Sequence, residues 1–298
     1  DLLNDEDIQV EKLSGCIQSI RGHFGIIIYN SEKLFCAVDK VRTIPLFYSY
    51  DVSNITVSSN ANYVVDNSSL DITPYNTEAA LEIAMSGYTM GDKTLCHEIS
   101  QMKAGECLFV DNDKVNIGQY YRYAPWNVID KSRDILKSDL IQVSRTVLED
   151  MVESCKGRQI VIPLSGGHDS RFVASGLKEL GVKDVICFSY GLSNNFEVKT
   201  AQKIAEKLGY KHIYVPLSIR SQKVTFSQNM FSEYCDFSDT LCNSPVLIDY
   251  SAVKVMVEGK KISKDAIFIN GNSGDFISGG HIVPKVSKGL DANLVRGF

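Results

Sequence analysis

The stretch Leu164-Ser165-Gly166-Gly167-His168-Asp169-Ser170 packs two hydroxyls, two bare backbone positions and a carboxylate together, directly after the apolar run "QIVIP". Free backbone N–H groups at the start of a helix, and the positive end of its dipole, favour an anion. Gly166 and Gly167 let the backbone approach that anion with no Cβ in the way. Ser165 and Ser170 add hydroxyl donors, so the set suits a phosphate. Asp169 would repel a phosphate unless a cation stood between them. Mg²⁺ is commonly held by one or two carboxylates plus phosphate oxygens, which makes Asp169 a candidate metal ligand. Neither GxxxxGK[ST] nor GxGxxG is present, so this is neither the usual NTPase loop nor a dinucleotide fingerprint. The same residues also fit a plain strand-to-helix turn in which Asp169 or Ser170 caps the helix. On the residues alone both readings stand.

The surrounding chain is patterned to place this stretch at a sheet edge. "QIVIPL" reads as a strand, and Ser170 to Leu180 as a helix closed by Gly181. "DVICFSY" is a strand, Phe196 to Leu208 a helix followed by Gly209, and "HIYVPL" a strand again. "VLIDYSAVKVMVEG" reads as a helix and "DAIFIN" as a strand. This alternation predicts a parallel sheet covered on both faces, with ligands beyond the carboxyl ends of its strands. Ile135, Leu136, Leu140, Val143, Val147, Leu148 and Met151 recur at helical spacing and predict an amphipathic helix from about Ser132.

The first third differs. "HFGIIIYN", "KLFCAVD", "IPLFYSY", "NITVSS", "GECLFVD" and "KVNIGQYYRY" are short runs between polar turns and predict antiparallel strands. Thr77 to Met85 has helical spacing, with Thr77 as N-cap. The aromatic residues of "QYYRY" are expected at a domain interface. The composition shifts near "APWNVIDKSR". The expected organisation is α/β: an antiparallel, β-rich domain over residues 1–128 and a parallel-sheet domain over 129–298.

Length agrees with two domains, since 298 residues exceed one ordinary core. A formal net charge of -5 argues against a nucleic-acid partner but not against a small anion. The eight cysteines show no zinc or redox spacing, and several sit in apolar runs, which suggests a reducing compartment. With no bilayer-length apolar stretch and no signal-peptide pattern, the expectation is a cytoplasmic protein without a membrane partner. His23, His97, His212 and His281 stand apart and suggest no metal cluster. The chain opens at Asp1 without an initiator methionine and stops at Phe298, so residues are expected to be missing at one or both ends.

Ser-Gly-Gly-x-Asp-Ser after a strand resembles the pyrophosphate loop of N-type ATP pyrophosphatases, and the chain resembles the asparagine synthetase family. "FSYGLSNNFEVKTAQKIAEKLGYKHIYV" is similar to that family's second strand, helix and third strand, and "FINGNSGDFISGGH" to its later glycine-rich segment. The resemblance implies ATP and Mg²⁺ as cofactors, with Asp275 joining Asp169 on the metal as the catalytic pair. It places Ser165, Gly166, Gly167 and Ser170 on the phosphates, and Leu164, Tyr190 and Gly271 in the adenine pocket. The implied chemistry is amide formation. A carboxylate takes AMP, pyrophosphate leaves, and a nitrogen nucleophile displaces AMP.

Two departures qualify the implied substrate. Asn272 and Phe276 stand where asparagine-forming members carry glutamates, which puts aspartate in doubt as acceptor. Arg171, after the loop, could meet an acidic acceptor such as a sugar uronic acid, or be a solvated helix charge. The first third resembles the glutamine-hydrolysing, class II amidotransferase domain. That domain uses an N-terminal cysteine, whereas residue 1 here is aspartate, and its Asp-Gly pair appears as Arg21-Gly22. Cys16 offers no terminal amine. The expectation is a domain without glutaminase activity, with nitrogen from free ammonia, an amine or a partner protein, and with a homodimer left open. Two rival readings accompany the ligase: a silent nucleotide- or partner-binding pseudoenzyme, and an intramolecular amide cyclase of the β-lactam synthetase type.

Overall fold

A computed structural model describes residues 10–52, 54–73, 75–111, 114–123, 129–272 and 274. The chain is α/β, antiparallel in its first part and parallel in its second. It divides into two compact units. One comprises residues 1–129 with 229–245, and the other 130–228 with 246–298.

The first unit opens with α1 (Val10–Gln18), β1 (Gly25–Tyr29), β2 (Lys33–Val38), β3 (Phe47–Tyr50), β4 (Ile55–Ser58), α2 (Ala61–Asn67) and α3 (Thr77–Ser86). β5 (Ser100–Gln101), β6 (Glu106–Asp111) and β7 (Lys114–Gln119) follow. One antiparallel sheet has the order β1-β2-β6-β7, and a second the order β4-β3-β5. Period-2 alternation sets the register: Phe35 lies opposite Phe109 and Ala37 opposite Cys107, and all four pack with Leu13 and Ile17 of α1. Tyr120 joins this same core and donates its hydroxyl to Val38 O at 2.6 Å, with Tyr121 packed beside it. Tyr120 and Tyr121 of "QYYRY" therefore pack in the core of the first unit, whereas Tyr123 is exposed. α3 is capped by Asn76, not Thr77. The Asn76 side chain accepts from Ala79 N–H at 3.2 Å, and asparagine is at least as good a cap as threonine.

Asp39, after β2, holds a turn together while only 1% exposed. Its carboxylate accepts from the N–H groups of Phe24, Val41 and Thr43 at 3.0–3.1 Å and from the Thr43 hydroxyl. Burial pushes its pKa up, but these hydrogen bonds prevail and hold it below the usual carboxylate range. A depressed folded pKa adds stability that is present above the unfolded value and is lost as pH falls through the folded one. Asp39→Ala is expected to cost about 2–3 kcal/mol in urea denaturation at neutral pH, with the gap from the parent narrowing under acid. A pH-independent gap would refute this account of Asp39.

The second unit begins with α4 (Arg133–Cys155), followed by β8 (Ile160–Pro163), α5 (His168–Glu179), β9 (Val185–Gly191), α6 (Phe196–Leu208), β10 (Lys211–Pro216) and α7 (Ile219–Phe226). The chain then contributes α8 (Asn229–Ser238) and the stretch to Pro245 to the first unit. There Leu241 O accepts from Leu95 N–H at 2.7 Å and Cys242 O from Thr89 N–H at 2.8 Å. It returns to the second unit with α9 (Tyr250–Glu258) and β11 (Ile267–Phe268). The parallel sheet has the order β10-β9-β8-β11. Its central strands, β8 and β9, are buried on both faces. Ile160, Ile162 and Cys187 pack with Leu177 of α5 and Ala201 and Ala205 of α6. Val161, Ile186 and Phe188 pack with Ala252 and Met256 of α9.

Three elements differ from their sequence patterns. α5 starts two residues early, at His168. α9 starts at Tyr250, leaving Val246, Leu247 and Ile248 exposed ahead of it. α4 forms where periodicity requires it, yet Leu140, Val143 and Val147 are 58–59% exposed, and only Leu148 and Cys155 are buried. Period sets the helix; partner elements set which stripe is covered. Among the described residues no helix is long and apolar enough to cross a membrane.

Candidate active site

β8 ends at Pro163, and the chain turns through 164–167 into α5. Leu164 N–H still donates to Phe188 O of β9 at 2.8 Å, which ties the start of the turn to the sheet. The two serines then hold the turn closed. Ser165 N–H donates to Ser170 Oγ at 3.1 Å, the two hydroxyls are 3.1 Å apart, and Gly167 N–H donates to Ser165 Oγ at 3.1 Å. The N-cap of α5 is Gly167, and no side chain caps the helix. Neither Asp169 nor Ser170 takes the capping role, so the positive end of α5 is left for something outside the helix.

Arg171 is half-buried and is not among the residues lining the cavity. Its Nη2 donates to Gly166 O at 2.9 Å, bracing the loop, while its Nε is buried with no partner among the described residues. His168 is exposed.

The later glycine-rich segment comes to this same point. Ile269 N–H donates to Val161 O at 3.0 Å, extending the pairing of β11 with β8 and aiming the chain at α5. A Cβ on Gly271 would lie 2.5 Å from Ser170 N and 2.6 Å from the Asp169 carbonyl carbon. A Cβ on Gly274 would overlap the Asp169 carboxyl group itself. Two segments about a hundred residues apart are thus packed against each other with Asp169 between them. Asp275 and Phe276 lie outside the described residues.

A cavity of about 370 Å³ opens at this carboxyl end of the sheet. Leu164, Ser165, Gly167, Asp169, Ser170, Tyr190 and Gly271 all line it, as does Asn272. Gly166 is absent from the lining and is set back towards Thr200 of α6. Several lining residues escaped the sequence reading, among them the two acids Glu197 and Asp249 and the apolar Ile248. Glu197 is in the first turn of α6, where an acid reads as a dipole partner. Asp249 was hidden because "VLIDYSAV" reads as continuous helix; the break before Tyr250 turns it to the cavity.

The polar groups fall into two sets. At the loop stand the uncapped helix end, the serine hydroxyls and Asp169. At the end of β9, Tyr190 is set against Asp249. Burial, then hydrogen bonding to Asp249 and its negative charge, push the Tyr190 hydroxyl far above its usual pKa. Ser189 Oγ lies 2.9 Å from His212 Nε2 on β10, and burial lowers the pKa of that imidazole. Among the described residues no three His, Cys, Asp or Glu side chains gather to hold a metal. Asp169 fits Mg²⁺ as part of a shared set, with phosphate oxygens completing the shell.

In the first unit Cys16 is exposed within α1, where its nitrogen is a peptide N–H. Arg21 is exposed, and Gly22 takes φ +93°. Burial pushes the Cys36 and Cys187 thiols up to about 12, so both act as small hydrophobes.

Residues 9–121 match the glutamine amidotransferase domain model, and residues 144–284 the asparagine synthase model. A curated relative from Acanthamoeba polyphaga mimivirus, described as "Probable asparagine synthetase" (glutamine-hydrolyzing), is 25% identical over 227 residues. The match covers 69% of this chain and 36% of the relative, so the chain spans little more than a third of that protein. Among solved structures, an NH3-dependent NAD synthetase from Campylobacter jejuni is 14% identical, with a TM-score of 0.32, over 47% of this chain and 58% of its own. A glutamine phosphoribosylpyrophosphate amidotransferase from B. subtilis is 10% identical, with a TM-score of 0.26, over 81% and 66%.

Proposed function

We propose, for a chain that belongs to an asparagine synthetase-like family, an ATP-dependent ligase that activates a carboxylate and joins it to a nitrogen nucleophile. One observation carries the reading. The 164–170 loop leaves the start of α5 uncapped at the mouth of a cavity, and Gly271 and Gly274 are seated against Asp169.

In this reading the N–H groups at the start of α5 receive phosphate, and Ser165 and Ser170 fix the loop that presents them. Arg171 keeps the loop carbonyl turned away from the anion. Asp169, with Asp275 as the second ligand implied by the resemblance, would hold Mg²⁺, which would supply positive charge to offset that on the departing pyrophosphate. Leu164, Tyr190 and Gly271 take the base. The chain's contribution is position and preorganised charge rather than covalent chemistry.

The acceptor is proposed to be a carboxylate other than aspartate, because Asn272, on the cavity lining, offers an amide where asparagine-forming members carry a glutamate. Nitrogen is proposed to come from ammonia, an amine or a partner protein. The same Asn272 favours a second reading, a nucleotide binder without turnover. Incubation with Mg²⁺, ATP and a panel of aspartate, uronic acids and amino-terminated acids separates the two. Acid-dependent pyrophosphate release supports the ligase. Nucleotide binding with no release under any acid supports the silent binder.

A further inference from the structure

β1 is an edge of the four-stranded antiparallel sheet, and among the described residues it pairs with β2 on one side only. Edge strands usually carry something that stops a further strand from pairing, such as a charge, a proline or a bulge. β7, the other edge of this sheet, begins at Lys114, and β10, an edge of the parallel sheet, runs from Lys211 to Pro216. β1 is Gly-Ile-Ile-Ile-Tyr, with no charge and no proline, and its register against β2 is unbroken by a bulge. Three of its side chains are exposed: Ile27 by 42%, Ile28 by 39% and Tyr29 by 76%.

The ladder fixes which backbone groups face the free side. Asp39 N–H donates to Phe24 O at 3.0 Å and Asn30 N–H to Lys33 O at 2.9 Å, so the pairs at both ends of β1 are hydrogen-bonded ones. Bonded and non-bonded pairs alternate along an antiparallel ladder. Ile26 and Ile28 therefore bond inward to β2, whereas Gly25, Ile27 and Tyr29 turn their N–H and C=O outward. An added antiparallel strand must meet those residues with outward groups of its own. A second β1 does so over its whole length in one register, with Ile27 opposite its own copy and Gly25 opposite Tyr29.

The side chains fit that register. Gly25 presents no side chain, and a Cβ there would lie 3.0 Å from Cγ2 of Ile44, a residue 41% exposed. Tyr29 of the second copy, on that same face, covers Gly25 and Ile44, and an aromatic ring across from an edge glycine is a favourable pairing. On the opposite face Ile28 meets Ile26 of the second copy.

We propose that β1 is a homodimer surface, on which two copies of this chain pair antiparallel about a two-fold axis at Ile27 and join their sheets into one. The surface belongs to the first unit and does not depend on how the cavity of the second is read.

The test is sedimentation of the whole chain across a concentration series, with a melting curve for each variant. One strand and its flanking side chains bury less than a permanent dimer does, so a reversible monomer–dimer equilibrium is expected. Ile27→Lys and Ile27→Glu should each sediment as monomers, because the axis sets like charges directly opposite each other. An equimolar mixture of the two variants should recover the dimer, since opposite charges then meet. Amide exchange gives a second readout: the N–H groups of Gly25, Ile27 and Tyr29 should slow as concentration rises, while those of Ile26 and Ile28 stay protected throughout. A parent chain that remains monomeric at every concentration overturns the proposal and needs no variant to fold. Dimer retained by either folded variant, or a mixture that stays monomeric, overturns it too. Outward amides protected in a monomer would mean that the chain's own residues cover this edge, which also overturns it.

Discussion

Asp169→Asn is expected to lower acid-dependent pyrophosphate release by about 100-fold or more, because a metal clamp on transferring phosphates contributes several kcal/mol. The substitution keeps the size and shape of the side chain, so the cavity survives. Only the charge that holds the cation is removed. The fold should not register the change, since among the described residues Asp169 neither caps α5 nor carries a hydrogen bond that the turn depends on. The thermal midpoint is therefore expected to move by no more than about 0.5 kcal/mol would shift it. The readout is pyrophosphate release alongside a melting curve. Turnover within twofold of the parent would remove Asp169 from the metal site. A large loss of stability would instead make it a structural residue of the turn.

Gly271→Ala and Gly274→Ala are expected to fail in different ways. At Gly271 the added methyl meets backbone, Ser170 N at 2.5 Å and the Asp169 carbonyl carbon at 2.6 Å. Backbone at a helix start does not yield cheaply, so the whole segment after β11 must move away from α5. A displacement near 1 Å can cost about 100-fold in rate, and both nucleotide affinity and turnover should fall. At Gly274 the methyl meets the Asp169 side chain, which can rotate. Nucleotide binding without metal should then stay close to the parent value, while Mg²⁺-dependent turnover falls by about tenfold or more. Binding with and without Mg²⁺, measured beside turnover, separates the two. If both variants behave like the parent, the contact between the glycine segment and Asp169 is not part of the working site.

The reasons why some of this was legible in the sequence lie in how each feature is encoded. The parallel sheet was readable because strands buried on both faces are written as unbroken apolar runs, such as "QIVIP" and "DVICFSY", between helices closed by Gly181 and Gly209. The loop was readable because two hydroxyls, two glycines and a carboxylate stand together directly after an apolar strand. Asp249 was not readable, because its place depends on where α9 begins. The apolar run before Tyr250 disguises that break as more helix. Arg171 was misjudged for a related reason: a long cation after a loop looks solvent-bound until the fold brings Gly166 O within its reach. The exposure of Leu140, Val143 and Val147 on α4 was equally hidden, since periodicity reports a stripe and not its cover. Residues 229–245 reverted to the first unit through backbone bonds to Leu95 and Thr89, and backbone pairing leaves no mark on side-chain pattern.

The most direct test is a crystal structure of the chain with Mg²⁺ and a non-hydrolysable ATP analogue. The account predicts the phosphates against the N–H groups at the start of α5, the ion on Asp169, and the base between Leu164 and Tyr190. A triphosphate bound elsewhere, or an Asp169 carboxylate turned away from both ion and phosphate, would contradict it.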